Sequence, residues 1–377
     1  MSKKNAERDA ALLKQYFDTN PRFEFVNLVG HGNFGSACRV RYNDPKNKIW
    51  KYFLVKKSFS QEGANDALRT EKKYLRRLRG GAHIVRMLDI EDNPLNKSNV
   101  SKSAAPGPSK SANKLPDIDE EWMILEWLEH GTVGEFIMKA RNMKVERLPN
   151  RLLWRFFYCL VRGCIAMAWP PNRSDDKVEN EKVKPGVPES RLVHNDLHDA
   201  NVLLGEPPTD PEHTISPIIK IIDFGIAGEW AWRKGQATAV QSNIYEIGRI
   251  MVLLIGLWSW TILDVNEDKT SKFRMTEDGP EIETDAVMML PLTGDTTRFP
   301  HLDPLLGRLV CACLATDHSD RPTLQQLSAD VAKAVSTRGA SFYPGVEEEQ
   351  NDSIAKLWRE IAHFAGTQEK VTIVLSS

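Results

Sequence analysis

Residues 192–204, LVHNDLHDANVLL, constrain this chain more tightly than any other stretch. An apolar pair leads in, and the triplet Val202, Leu203 and Leu204 leads out. The polar residues between them read as a loop held between two buried segments and presented at a cleft. Asp196 and Asn201 place a carboxylate and an amide on that short loop. Such a carboxylate can orient a hydroxyl and accept its proton, and the amide oxygen can ligate a hard cation. An ordinary polar loop is the plain alternative, and the rest of the chain has to decide between the two.

With 377 residues the chain can bury a sizeable core as two domains or two lobes. A formal net charge of −1 provides no overall field to recruit nucleic acid or a membrane surface. The five cysteines show no metal-like spacing. Cys159, Cys164, Cys311 and Cys313 lie in apolar helical stretches and read as buried free thiols of a reducing compartment rather than as disulfides. The N-terminus is charged and amphipathic without an apolar signal core, and the apolar run at 250–263 is too short to span a bilayer. The expectation is a soluble intracellular protein, cytoplasmic or nuclear, with no membrane span and no nucleic-acid partner.

In chain order, residues 6–17 predict an amphipathic helix, and a strand follows at 23–29. GHGNFG at 30–35 is a glycine-rich turn followed by a strand, a hairpin turn and a third strand ending in Lys56 and Lys57. Its glycines let backbone N–H groups approach phosphate oxygens, and the strand after it argues against a dinucleotide-binding turn. If Leu54 faces the cleft, the period of two puts Lys56 there as well. A helix at about 63–79 carries Glu71 on its apolar face, where a buried carboxylate needs a cation, and Lys56 is the candidate. Residues 83–89 read as a fourth strand, 93–119 as a disordered Ser-, Pro- and Lys-rich insert, and 122–128 as a continuous apolar strand broken by Glu126. A boundary falls near 129–134, then a strongly apolar helix at 151–169 and a second polar insert at about 170–190. Beyond the loop come IIDFGIAG at 221–228, an apolar helix at 244–263, a polar loop to about 284, and helices at 305–314 and 324–335. The tail from 341 is acidic, with a helix at 353–364 and a strand-like VTIVL at the end.

GHGNFG, Lys56, Glu71, HNDLHDAN, DFG and DRPT, in that order, resemble the eukaryotic protein-kinase family over roughly residues 23–336. The resemblance implies an α+β fold of two lobes: a β-rich lobe at 22–128 over a mainly helical lobe at 129–340, flanked by a helical extension at 1–21 and a C-terminal extension at 341–377. It implies ATP and Mg²⁺ as cofactors. Val29, Gly30, His31, Gly32, Asn33, Phe34 and Gly35 would cover the nucleotide, and Ala37, Leu54 and Leu203 would line the adenine pocket. Glu126 and Leu128 would meet the base through their backbones, with Leu125 behind it. Lys56, paired with Glu71, would hold the α- and β-phosphates, Asn201 and Asp223 would bind Mg²⁺, and Asp196 would take the acceptor's proton. Leu75, Met87, His194 and Phe224 match a hydrophobic column joining the lobes.

The chain departs from that family at definite places. Asn195 stands where many phosphorylation-activated kinases carry arginine, so a phosphate on the activation segment would lack its partner and activity should not need one. His198 replaces the usual lysine and looks like the small-molecule phosphotransferases that act on aminoglycosides and choline. As a neutral ring it would still donate a hydrogen bond to the γ-phosphate. The segment after DFG is short and lacks Ala-Pro-Glu, Asn243 replaces an anchoring aspartate, and Arg321 has to find another acceptor. Ala37 and Leu54 exchange bulk in the pocket roof, which predicts repacking rather than blockage. Three readings follow: a protein kinase directed at Ser/Thr hydroxyls, a small-molecule kinase, or a nucleotide-binding scaffold without turnover.

Overall fold

The computed structural model describes residues 2–365 apart from 47, 97–117, 176, 232, 265–268 and 295. The fold is α+β. Strands β1 (Phe23–His31), β2 (Gly35–Asn43), β3 (Trp50–Ser58) and β4 (Trp122–Glu126) form an antiparallel sheet in chain order. Side chains alternate along each strand, so the sheet has two different faces. Phe53 and Val55 join Cys38, Val40 and Ile124 in a core closed by Leu13, Tyr16 and Phe17 of helix α1 (Ser2–Phe17). Leu54, Met123 and Leu125 face the other way, into the main core.

Helix α1 is therefore a layer of the sheet rather than an appendage. Lys57 points to its side, 3.2 Å from Asp9 and 3.2 Å from Glu120, with almost no exposure. Helix α2 (Ala64–Arg77) buries Leu68, Glu71, Tyr74 and Leu75 against the opposite face.

The larger, helical part is built on α3 (Val133–Asn142), α4 (Asn150–Ala168) and, after the loop region, α5 (Ala239–Gly256). Short strands β5 (Leu192–Val193), β6 (Val202–Gly205), β7 (Ile218–Ile221) and β8 (Gly228–Glu229) pair as β5–β8 and β6–β7 between α4 and α5. A capping box on Thr132 and Glu135 starts α3, and one on Thr238 and Gln241 starts α5. The latter begins the central helix earlier than the apolar run suggests. Leu257, at φ 49, then ends it at Gly256 instead of 263. A one-turn helix α6 (Thr261–Asp264), the hairpin β9 (Ser271–Arg274) and β10 (Glu281–Thr284), α7 (Pro304–Cys313), α8 (Leu324–Thr337) and α9 (Asn351–His363) complete it. The hairpin lies inside what the sequence suggests is a polar loop.

Two further expectations change. Residues 83–89 form no continuous strand; Ile84 and Met87 make isolated bridges to Ile221 and Leu125. The reason lies at Arg86, whose N–H is taken by the Glu126 carboxylate at 2.9 Å instead of a strand carbonyl. The acidic segment after 341 belongs to the core. Glu349 is buried and accepts from the N–H groups of Asn150 and Arg151 at 2.6 and 3.0 Å, supplying the negative end that the first turn of α4 requires. Trp358 and Ile361 of α9 are fully buried beside α3. Most of the 93–119 insert and the terminal VTIVL lie outside the described residues, although the flanking Leu95 and Ile118 are buried under the sheet. Among the described residues no helix is long and apolar enough to cross a membrane.

Candidate active site

The turn between β1 and β2 is closed by Gly32 N–H donating to Gly35 O at 2.9 Å. Gly35 admits no side chain, since a Cβ there would sit 2.4 Å from the Lys57 carbonyl oxygen. The tip is tied to the segment after β3 through Phe59 N–H to Phe34 O at 2.8 Å and Gln61 to Asn33 O. Phe34 and Gly35 consequently roof a cleft whose walls include Lys56, Glu71, Asp196 and Asp223. These four polar residues come from β3, α2, the 192–204 loop and the segment after β7.

At the centre, Lys56 Nζ lies 2.6 Å from Glu71 Oε2 and 2.9 Å from Asp223 Oδ1. Burial opposes the ammonium's charge, but Asp223 and Glu71 together hold it well above the usual lysine range. The balance is uneven, with two carboxylates against one cation. Burial and the nearby Asp223 outweigh Lys56 at Glu71 and raise that carboxyl to about 7. Asp223 Oδ2 and Glu71 Oε1 are buried with no hydrogen-bond partner among the described residues.

The loop is fixed from beneath. His194 is fully buried; its Nε2–H donates to Ile222 O at 2.8 Å, and its Nδ1 accepts from Asp196 N–H at 3.3 Å. Burial lowers its proton affinity, so the neutral tautomer holds both bonds. Asn243 serves the loop from α5, accepting from His194 N–H at 3.1 Å and donating to Leu192 O at 3.0 Å. A neutral amide thus does the anchoring that the sequence assigns to a missing aspartate. Asn201 is buried, and its amide donates to Asp196 O and Oδ2 at 2.8 and 2.9 Å. Its backbone carbonyl accepts from Ile222 N–H at 3.0 Å, which keeps Asn201 beside the residue preceding Asp223. Asn195 and Asp223 sit at φ 65 and 63, left-handed conformations costing on the order of 1 kcal/mol each, which the surrounding bonds enforce.

His198 lies between carboxylates and hydrogen-bond donors. Its Nε2 is 3.6 Å from Asp196 Oδ1 and its Nδ1 is 3.9 Å from Asp199 Oδ1. Burial pushes the ring down, yet those carboxylates raise it to about 9. Ala200 N–H also points at Nδ1, at 3.2 Å, as it would toward an unprotonated ring. The Asn201 amide likewise points at Nε2, at 3.2 Å. The carboxylates favour the imidazolium, and the two donors favour the neutral ring.

The remaining residues expected around a nucleotide come from the sheet, from β6 and from the segment after β4. Ala37 pairs with Lys56 across β2–β3, and Leu54 pairs with Leu125 across β3–β4. Val29, Gly30 and His31 end β1, and Gly30 opposes Ala37. Leu203 on β6 bridges to Thr132, and Leu128 is buried against Gly205. The Glu126 carboxylate accepts from Lys220 at 2.6 Å, and its N–H donates to Arg86 O at 2.9 Å. Two features escape sequence reading. Arg39 stacks on Tyr52 and Trp127 at the edge of the sheet. Glu229 on β8 pairs with Arg77 of α2 and lies 3.7 Å from Arg191, joining α2 to the loop region. Nothing in the spacing of these residues announces either contact. No known protein-family model matches the chain, and a search of curated proteins finds no match.

Proposed function

We propose that the chain is a two-lobed, kinase-like phosphotransferase that moves the γ-phosphoryl group of ATP to a hydroxyl, which we take to be that of a protein Ser or Thr. The observation that carries this reading is the convergence of Lys56, Glu71, Asp223 and Asp196 in one cleft beneath the 30–35 turn. A cation fits: Asp223 presents a buried carboxylate oxygen without a partner among the described residues, and Asn201 is bonded beside it. Asn201 and Asp223 would hold Mg²⁺, which supplies positive charge against the charge building on the transferred group.

The chain's own residues do the rest. Lys56, held by Glu71, draws the phosphates into place. Asp196 accepts a hydrogen bond from the acceptor hydroxyl and takes its proton as the oxygen–phosphorus bond forms. The Asn201 amide fixes the Asp196 carboxylate in that orientation. His198 lies beside Asp196, where its ring would offer a hydrogen bond to the transferred phosphoryl group.

A small-molecule acceptor is the second reading. It is supported by His198, whose ring packs edge-on against that of Trp260 at 5.7 Å. The deciding experiment incubates the full chain with labelled ATP and Mg²⁺, with and without generic protein acceptors, beside Asp196→Ala. Label on protein that vanishes in the variant supports the first reading. Turnover only with small hydroxylated compounds supports the second, and nucleotide binding without turnover refutes both.

A further inference from the structure

Away from the cleft, three potential metal ligands from distant parts of the chain meet in the interior. His83 follows α2, Cys159 lies on α4, and His213 ends a single turn (Pro211–His213) in the connection between β6 and β7. All three are buried, and their ligand atoms lie within 4.8 Å of one another. Cys159 Sγ is 3.3 Å from His213 Nε2. Two bonds of about 2.3 Å to sulfur and 2.0–2.1 Å to nitrogen at a tetrahedral angle set those atoms about 3.5 Å apart.

Each histidine is already oriented as a ligand. His83 Nδ1–H donates to the buried Glu181 carboxylate at 2.7 Å, and His213 Nδ1–H donates to Asp210 at 2.9 and 3.0 Å. Carboxylates at both Nδ1 positions fix the tautomers and turn both Nε2 atoms inward, the arrangement by which metal-binding histidines are held. His83 Nε2 is buried with no hydrogen-bond partner among the described residues. Asp210 also caps the turn that carries His213, and Glu181 accepts His83 N–H at 2.8 Å, so each carboxylate fixes backbone and ring together.

We propose that His83, Cys159 and His213 bind a zinc ion, with Glu181 and Asp210 as its outer carboxylates. A thiolate with two imidazoles suits zinc better than a hard, oxygen-seeking cation. Charge argues the same way. The thiolate and the two carboxylates sum to three negative charges, and Arg162 is occupied by Glu212 at 2.5 Å. A divalent cation supplies the missing positive charge without protonating both rings. The ion would fasten the segment behind α2, and through it Glu71, to α4 and the β6–β7 connection.

The test uses the full chain produced with zinc supplementation. Elemental analysis should find about one zinc per chain. The chelated protein should take up Co²⁺ with a sulfur-to-metal charge-transfer band that Cys159→Ser abolishes. Asp210→Asn and Glu181→Gln keep all three ligands and should weaken Co²⁺ affinity about 10–100-fold; they serve should Cys159→Ser fail to fold. Absence of both zinc and the cobalt band, a band that survives Cys159→Ser, or unchanged affinity in both carboxylate variants overturns the proposal.

Discussion

Replacing Glu71 by glutamine separates what the cleft's charges do for stability from what they do for activity. In the metal- and nucleotide-free protein, Glu71 and Asp223 share one ammonium, and Glu71 is raised from 4.5 to about 7. A raised carboxyl binds its proton more tightly folded than unfolded. Its contribution to stability is therefore complete below pH 4.5 and is lost as pH rises through about 7. At about 1.36 kcal/mol per pKa unit, that loss is about 3 kcal/mol between pH 4.5 and 8. The amide of the Glu71→Gln variant would keep an oxygen for Lys56 and carry no titrating proton. Urea unfolding of both proteins across this range should show the difference between Glu71→Gln and wild type shifting by about 3 kcal/mol in favour of the variant as pH rises. Phosphotransfer at pH 8 should meanwhile fall about ten-fold or more, because Lys56 would lose its charged partner on α2. Parallel unfolding curves across the pH range would refute the reasoning, since they would mean that Glu71 carries no excess proton.

Glu229→Lys should lower phosphotransfer several-fold without unfolding the protein, because it sets a cation against Arg77 and Arg191; phosphatase treatment of the wild type should leave the rate unchanged. His198→Lys should keep or raise the rate, and the fall in kcat/KM above pH 9, where the imidazolium is lost, should move to higher pH, as read from a pH–rate profile. Trp358→Ala removes a side chain with 1% exposure and should cost about 3–5 kcal/mol, measured by chemical denaturation; a cost under about 1 kcal/mol would detach α9 from the core.

What could be read in the sequence was local and periodic. The alternation in β3 sends Lys56 and Leu54 to one face, and the placement of Glu71 on the apolar side of α2 requires the cation that Lys56 supplies. Strand 83–89 misled because its apolar pattern is real while the Arg86 N–H goes to a side chain that the pattern cannot reveal. The tail beyond 341 read as an acidic extension with a helix at 353–364, and the helix is present at Asn351–His363. The burial of Glu349 depends on the free N–H groups of α4, which are far away in sequence. The cluster of His83, Cys159 and His213 has no spacing signature at all, since three separate segments must fold before its ligands meet.

The departures from the kinase-like pattern share one physical consequence. Asn195 donates to Ile226 O at 2.9 Å and accepts from the Trp230 indole at 3.1 Å, so the segment after Asp223 is held without a phosphate. Asn243 satisfies both of its loop partners, and Arg321 finds Ala315 O and Gln241 O at 3.0 and 3.1 Å while stacking on Tyr245. Each buried polar group left without a partner would cost about 1–3 kcal/mol, so folding stability itself rewards these bonds. Asn195, Asn243 and Arg321 are each bonded, and Glu71 and Asp223 keep buried carboxylate oxygens without partners among the described residues, in the cleft where a cation and phosphates would complete them.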